Sequence, residues 1–208
     1  MFLLPSNTSL NRKCIKIGIT GGIGSGKSQV SHLIRTMGFP VYGADTESKR
    51  LCRESASLRM ALQDEFGNIY LDNGELNRQK FAEIIFSDKE KRLRANDLIH
   101  PAVQNDFLAW TERQGASFVF VESAILLESI LKKAVDMVIV VTADKSERIT
   151  RILLRDKCSR QMAARRINSQ MDDDTRIAQA DYIIRNNNRD LVIPQVERIV
   201  RELTGCCR

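Results

Sequence analysis

Apolar residues change their spacing along the chain, and each spacing predicts an element. Ile15, Ile17 and Ile19 alternate with Lys16, Gly18 and Thr20, the pattern of a β-strand. A glycine-rich turn follows at 21–26. Val30, Leu33, Ile34 and Met37 then recur at helix spacing until Gly38 and Pro40 stop them. A second short strand is expected at 39–42, leading into Gly43-Ala44-Asp45. From 46 to about 116 the texture is helical. Leu51, Leu58, Leu62 and Phe66 form one apolar set, and Phe81, Ile84, Ile85 and Phe86 form another beyond an Asn73-Gly74 turn. A helix over about 89–99 is expected to stop near His100-Pro101, and Val103, Phe107, Leu108 and Trp110 resume the pattern. A faint strand signal lies at 68–71. Residues 118–122 and 137–141 are nearly continuous apolar runs, as expected of parallel strands covered on both faces. A basic helix over about 146–167, a strand at 182–184 and a helix over about 190–203 complete the reading.

Strands alternating with helices predict an α/β fold with a parallel sheet. The long helical stretch between the second and third strands reads as an insertion over one end of it. At 208 residues the chain suits one domain with such an insertion. The expected division is a loose extension over 1–12, a core from 13–45 and 117–208, and an insertion over 46–116. Hydrophobic residues make up 43%, enough for a packed core and too many for a disordered chain. No run of 18 apolar residues occurs, so no membrane partner is expected. Cys14, Cys52, Cys158, Cys206 and Cys207 are odd in number and lack CxxC or zinc spacing. They read as free thiols of a reducing, cytoplasmic compartment.

Charge sharpens the picture by its position. Arg148, Arg151, Arg155, Lys157, Arg160, Arg165 and Arg166 face one acid, Asp156, so this segment carries the whole net charge of +6. A concentrated anion such as a polyphosphate suits it better than a long nucleic acid, which also lacks interleaved aromatics here. No nucleic-acid partner is therefore expected.

The strongest chemical signal is Gly21-Gly22-Ile23-Gly24-Ser25-Gly26-Lys27-Ser28, which fits G-x-x-x-x-G-K-[ST] in full and lies between a strand and a helix. Glycines let backbone N–H groups wrap phosphate oxygens, and the helix N-terminus adds partial positive charge. Lys27 would reach the β- and γ-phosphates of ATP, and the Ser28 hydroxyl would ligate Mg²⁺. Gln29 follows, and its amide can meet an α-phosphate oxygen. No N-K-x-D string for guanine occurs. The expected fold is thus a P-loop NTPase-type parallel sheet flanked by helices, with a helical substrate-binding insertion and a helical lid over about 146–170. A small-molecule kinase fits this plan. A non-enzymatic ATP switch, or a nucleic-acid binder using the basic segment, is the rival.

Asp45 follows the second strand, at the end where an open parallel sheet binds ligands. It reads either as the base for an attacking hydroxyl or as a helix N-cap. Glu122 ends the third strand and reads as an Mg²⁺ acid or as a solvated strand end. Glu128 is an acceptor-positioning residue or a surface acid. His100 is a packing or capping histidine unless the acceptor reaches it. Arg148, Arg151 and Arg155 share one helix face and, with Arg160, could neutralise a transferring phosphoryl group or simply be solvated.

Together these residues resemble the dephospho-coenzyme A kinase family, over about 15–200. The wording T-G-G-I-G-S-G-K-S at Thr20–Ser28 is more specific than a general P-loop. Val41 to Asp45, Phe66-Gly67, Gly74-x-Leu76-x-Arg78, Phe86, Ile99-His100-Pro101, Leu126-Leu127-Glu128, Arg151-x-x-x-Arg155-Asp156 with Arg160, and Ala180-Asp181-x-Ile183-Ile184-x-Asn186 follow in the family's order. The resemblance implies transfer of the ATP γ-phosphate to the ribose 3′-hydroxyl of dephospho-coenzyme A. A monomer or weak homo-oligomer is expected. The resemblance implies Asp45, Lys27 and Arg155 as catalytic residues. It implies that Gly22, Ile23, Gly24, Ser25, Gly26, Lys27, Ser28, Gln29, Arg151, Arg155 and Asn186 bind ATP. It also implies that Asp45, Arg78, His100 and Glu128 bind the acceptor, and that Ser28 and Glu122 serve Mg²⁺. The chain departs from the family pattern at Gly43, Gln29 and Ala124.

Overall fold

The computed structural model of the protein describes residues 14–205. The expected extension over 1–12, residue 13 of the expected core, Cys206 and Cys207 lie outside the described residues. Five strands, β1 Ile15–Thr20, β2 Val41–Gly43, β3 Phe118–Glu122, β4 Met137–Thr142 and β5 Tyr182–Arg185, form one sheet in the order β2-β3-β1-β4-β5. Every pairing is parallel. The P-loop strand β1 lies in the middle, so the loop leaving it emerges at the centre of the carboxyl edge.

Alternation along the strands sorts side chains to two faces. Ile17 and Ile19 of β1, Phe118 and Phe120 of β3, and Ile139 and Val141 of β4 pack with Val30 and Ile34 of α1 (Lys27–Thr36) and Val196 and Ile199 of α9 (Val192–Gly205). Val119 and Val121 of β3 and Val138 and Val140 of β4 face the other way. They share one core with the helices of the 46–116 stretch: α2 Ala44–Glu54, α3 Ala56–Phe66, α4 Arg78–Ser87 and α5 Lys89–Gln114. The 46–116 stretch therefore covers one face of the sheet. Tyr42, Phe107 and Trp110 join it to β2, with Tyr42 ring centroids 5.3 Å from Phe107 and 5.4 Å from Trp110. Behind them Asp106 of α5 accepts from Tyr42 Oη at 2.7 Å and from Arg50 Nη2 of α2 at 2.9 Å.

Three expectations are corrected. The helix does not stop at His100-Pro101, because α5 runs through Pro101 as a single helix of 26 residues. Proline forfeits one bond to the preceding turn. Ala95, Val103 and Phe107 are buried on both sides of it and carry the helix across. The basic helix is two helices, α6 Lys145–Asp156 and α7 Arg160–Asn168. Lys157 adopts a left-handed φ of 48° at the end of α6, and Ser159 caps α7 by accepting from Met162 N. The 68–71 signal is one arm of a tight hairpin, with a single antiparallel bridge from Tyr70 to Leu76 flanked by bonds from Asn77 N to Ile69 O and from Leu71 N to Glu75 O, both 2.8 Å. A short helix α8, Asp173–Ile177, had no signal strong enough to predict it. Among the described residues, no helix is long and apolar enough to cross a membrane, and Cys14, Cys52 and Cys158 are free.

Candidate active site

The P-loop runs from the end of β1 to the first turn of α1. Three of its successive carbonyls are held from outside. Ile23 O accepts from Arg148 Nε at 2.8 Å, Gly24 O from Arg151 Nη1 at 3.3 Å, and Ser25 O from Asn186 Nδ2 at 2.8 Å. The hydrogen bond from Ser25 N to Gly22 O closes the turn at 3.0 Å. With the carbonyls turned outward, the N–H groups of Gly24, Gly26, Lys27 and Ser28 take no partner among the described residues. They form a concave row of donors at a helix N-terminus, which is an anion site. Glycine is required where the loop is gripped. Gly26 has φ 92°, and a Cβ on it would overlap Asn186 Nδ2. A Cβ on Gly22 would overlap the Arg148 guanidinium.

Glu122 ends β3 beside this row. Its Oε1 accepts from Lys27 Nζ at 3.0 Å and from Ser28 Oγ at 2.8 Å. Burial pushes the Glu122 carboxyl up, but Lys27 beside it and the bonds from Ser28 and Lys27 outweigh burial, and it sits below the usual range. It is an ionised carboxylate at neutral pH, not a solvated strand end. Asp45 approaches from the other wall. The N-cap of α2 is Gly43, and Asp45 lies in the first helical turn, exposed. The capping reading therefore does not apply.

The P-loop and Asp45 line one cleft of about 450 Å³. Lys27, Ser28, Asp45, Arg151, Arg155 and Gln170 meet there across four segments of chain. Arg155 has an exposed side chain that pairs with its neighbour Asp156 through Nε at 2.7 Å and Nη2 at 3.1 Å. A second cavity of about 730 Å³ adjoins the first, sharing Gly26 and Arg151, and is bordered by Gln29, Asn186, Leu191 and Pro194.

The arginine face divides in two. Arg148 is 2% exposed and is paired with Asp173. It braces the loop from behind and does not present its charge to the cleft. Arg151 and Arg155 border the cleft, and Arg160 opens α7 outside it. Arg78 opens α4, Glu128 ends a one-turn 3₁₀ segment at Leu126–Glu128, and both are exposed. His100 is half-buried midway along α5, where burial lowers its pKa against the opposing charge of Asp97. None of these three borders either cavity. Gln170, which does border the cleft, was not singled out in the sequence. A glutamine in a polar turn carries no periodic or motif signal, and only the fold brings it to Ile23.

A family model described as dephospho-CoA kinase matches residues 15–191. The chain belongs to the dephospho-CoA kinase family. A dephospho-CoA kinase of Bacteroides fragilis (strain YCH46) is 38% identical over 187 residues, covering 89% of this chain and 91% of that protein. One from Fusobacterium nucleatum is 39% identical over 184 residues, covering 88% and 95%. A crystal structure from Thermus thermophilus superposes with a TM-score of 0.79 at 28% identity, over 94% of this chain and 98% of that one. The family's fold, a five-stranded parallel sheet with a P-loop at its centre, is the fold described above.

Proposed function

We propose that this chain transfers the γ-phosphate of ATP to the ribose 3′-hydroxyl of dephospho-CoA, giving CoA and ADP, the last step of coenzyme A synthesis. One observation carries the reading. A row of unpartnered P-loop amides faces the Asp45 carboxylate across a single cleft, in a chain of the dephospho-CoA kinase family.

Each residue then has a task. The amides of Gly24, Gly26, Lys27 and Ser28 and the Lys27 ammonium hold the β- and γ-phosphates. The adjoining cavity takes the adenosine, with Arg151, Gln29 and Asn186 at its border and Leu191 and Pro194 as apolar walls. Asp45 accepts the proton of the 3′-hydroxyl as its oxygen bonds to phosphorus and the bond to the β-phosphate oxygen breaks. Arg155 exchanges Asp156 for the phosphoryl oxygens, whose charge is spread over three atoms in a loose transition state. Arg78, His100 and Glu128 are assigned to the acceptor by the family's pattern.

The donor set also suits Mg²⁺. Ser28 offers a hydroxyl and Glu122 an ionised carboxylate at the same point. Among the described residues no cluster of three or more His, Cys, Asp or Glu could hold a metal by itself. That agrees with a hard cation bound by one or two protein oxygens, water and substrate phosphates. Mg²⁺ would neutralise charge on the β- and γ-phosphate oxygens. A cytoplasmic location accords with three free thiols, one of them buried.

The test is ADP release from Mg·ATP with dephospho-CoA, adenosine monophosphate, gluconate or shikimate as acceptor. The expected result is stimulation by dephospho-CoA alone, with CoA as product. Stimulation by another acceptor, or by none, overturns the assignment.

A further inference from the structure

One polar side chain in the cleft has half of its hydrogen-bonding capacity unspent. Gln170 lies in the turn between α7 and α8, and its Oε1 accepts from the Ile23 N–H at 2.7 Å. The donor is a peptide N–H, so the amide must turn its oxygen to it. Its nitrogen then points away and keeps two N–H donors. No partner among the described residues takes them.

The turn that carries Gln170 is rigidly held. Arg176, 2% exposed, donates from Nη2 to Met171 O at 3.0 Å and pairs with Asp173. Asp173 also pairs with Arg148, whose Nε reaches Ile23 O. The Ile23 peptide unit is thus gripped at its N–H by Gln170 and at its carbonyl by Arg148. One ionic cluster, with both guanidinium groups buried and Asp173 between them, lies behind both.

Position along the cleft selects the atom that Gln170 meets. Gln170 borders the cavity that contains Asp45 and Arg155, and it is absent from the adjoining cavity that contains Gln29 and Asn186. It therefore stands at the end where the phosphoryl group leaves the nucleotide. A neutral amide there adds donors without adding charge. We infer that Gln170 is a further catalytic residue, whose Nε2 donates to an oxygen of the γ-phosphoryl group while its Oε1 fixes the P-loop. It links the 160–177 segment to the presence of a γ-phosphate. The inference rests on the kinase reading proposed above.

The test compares Gln170→Glu and Gln170→Ala with the unaltered chain. Glutamate keeps an acceptor for Ile23 N–H and replaces the donor end by a charged oxygen. The readouts are kcat with dephospho-CoA, the affinities for ADP and for the imido analogue of ATP, and the melting temperature. Gln170→Glu should melt like the unaltered chain and lose about 100-fold in kcat. In Gln170→Glu the affinity for the imido analogue should fall about 10-fold while that for ADP changes by less than about 2-fold, whereas Gln170→Ala, which also frees the Ile23 N–H, should weaken both. Normal kcat and analogue affinity in Gln170→Glu, with loss only in Gln170→Ala, would reduce Gln170 to a brace for the loop and overturn the contact. Equal loss of ADP and analogue binding in Gln170→Glu would overturn it too. If the unaltered chain shows no acceptor-dependent turnover, the kinase reading fails. The contrast between ADP and the imido analogue still decides the contact itself.

Discussion

The two walls of the cleft are built differently. On the P-loop wall, Arg148, Arg151 and Asn186 fix three consecutive carbonyls, and Glu122 fixes both Lys27 and Ser28. Nearly every group that would touch a phosphate is already held in place. On the opposite wall, Asp45 in the first turn of α2 reaches the cleft and is exposed, and no residue of 46–116 borders it. The support there lies behind the surface, in the Tyr42–Asp106–Arg50 cluster that ties β2 and α2 to α5. A phosphate is small and the same in every nucleotide, so a rigid backbone cradle suits it. On the proposed function the acceptor is large and meets the opposite wall, which offers surface side chains on a firm base. Preorganisation is concentrated where the transferred charge is, which is where it contributes most to rate.

Substitutions on the two walls should separate accordingly. Asp45→Asn removes the proposed proton acceptor and keeps its shape, so kcat should fall by about 10³-fold with ATP affinity unchanged. Steady-state kinetics with ATP and dephospho-CoA varied in turn would check this, and equal loss of turnover and ATP affinity would reject the base. Lys27→Ala strikes the other wall and leaves Glu122 without its ammonium. It should lower kcat by about 10²-fold and also raise the KM for ATP.

The contrast between the walls also explains what the sequence could reveal. The sheet was legible because β1, β3 and β4 are apolar runs with separate inner positions for each face. The P-loop was legible because its chemistry is local and eight consecutive residues carry it. The braces were not legible in their real role. Arg148 and Arg155 look alike in the sequence, seven residues apart on one helix face. Yet Arg148 is sealed against Asp173 and Arg155 is open to the cleft. Burial by α7 and α8 decides between them, and no spacing within α6 encodes that. Gln170 and Ile23 are 147 positions apart, and their bond exists only after the sheet has formed. Pro101 misled for a related reason: a local helix-breaking preference of about 3 kcal/mol yields to tertiary packing on either side.

Arg151→Ala asks whether the cradle is preformed by its braces. The guanidinium holds Gly24 O and also Asn186 O at 2.7 Å. Without it the loop loses two anchors, and the KM for ATP should rise about 10-fold. The melting temperature of the nucleotide-free protein should drop as well. A raised KM with unchanged melting would mean that Arg151 touches ATP and does not brace the loop. Arg78→Ala, on the insertion side, has an exposed side chain outside both cavities. It should raise only the KM for dephospho-CoA, by about 5-fold, as loss of one exposed charge contact does.

The smallest effect belongs to His100, and it tests how tightly the insertion is packed. Burial lowers the His100 pKa, with Asp97 only partly opposing it. The unfolded chain therefore takes up the proton first as pH falls below about 6.5. The stability that depends on a neutral His100 is complete above that pH and is lost as pH falls through it. Glu122 cannot imitate this loss. Its pKa is lowered, so the stability that depends on its ionised form is lost only in acid, below the ordinary carboxylate range. Urea midpoints at pH 8 and pH 5.5 should thus fall less in His100→Gln than in the unaltered chain. Dephospho-CoA binding at pH 8 should weaken in the same variant if the imidazole also meets the acceptor. An equal fall in both proteins would show that burial does not keep His100 neutral. The insertion's middle would then be as open to solvent as the face that carries Arg78.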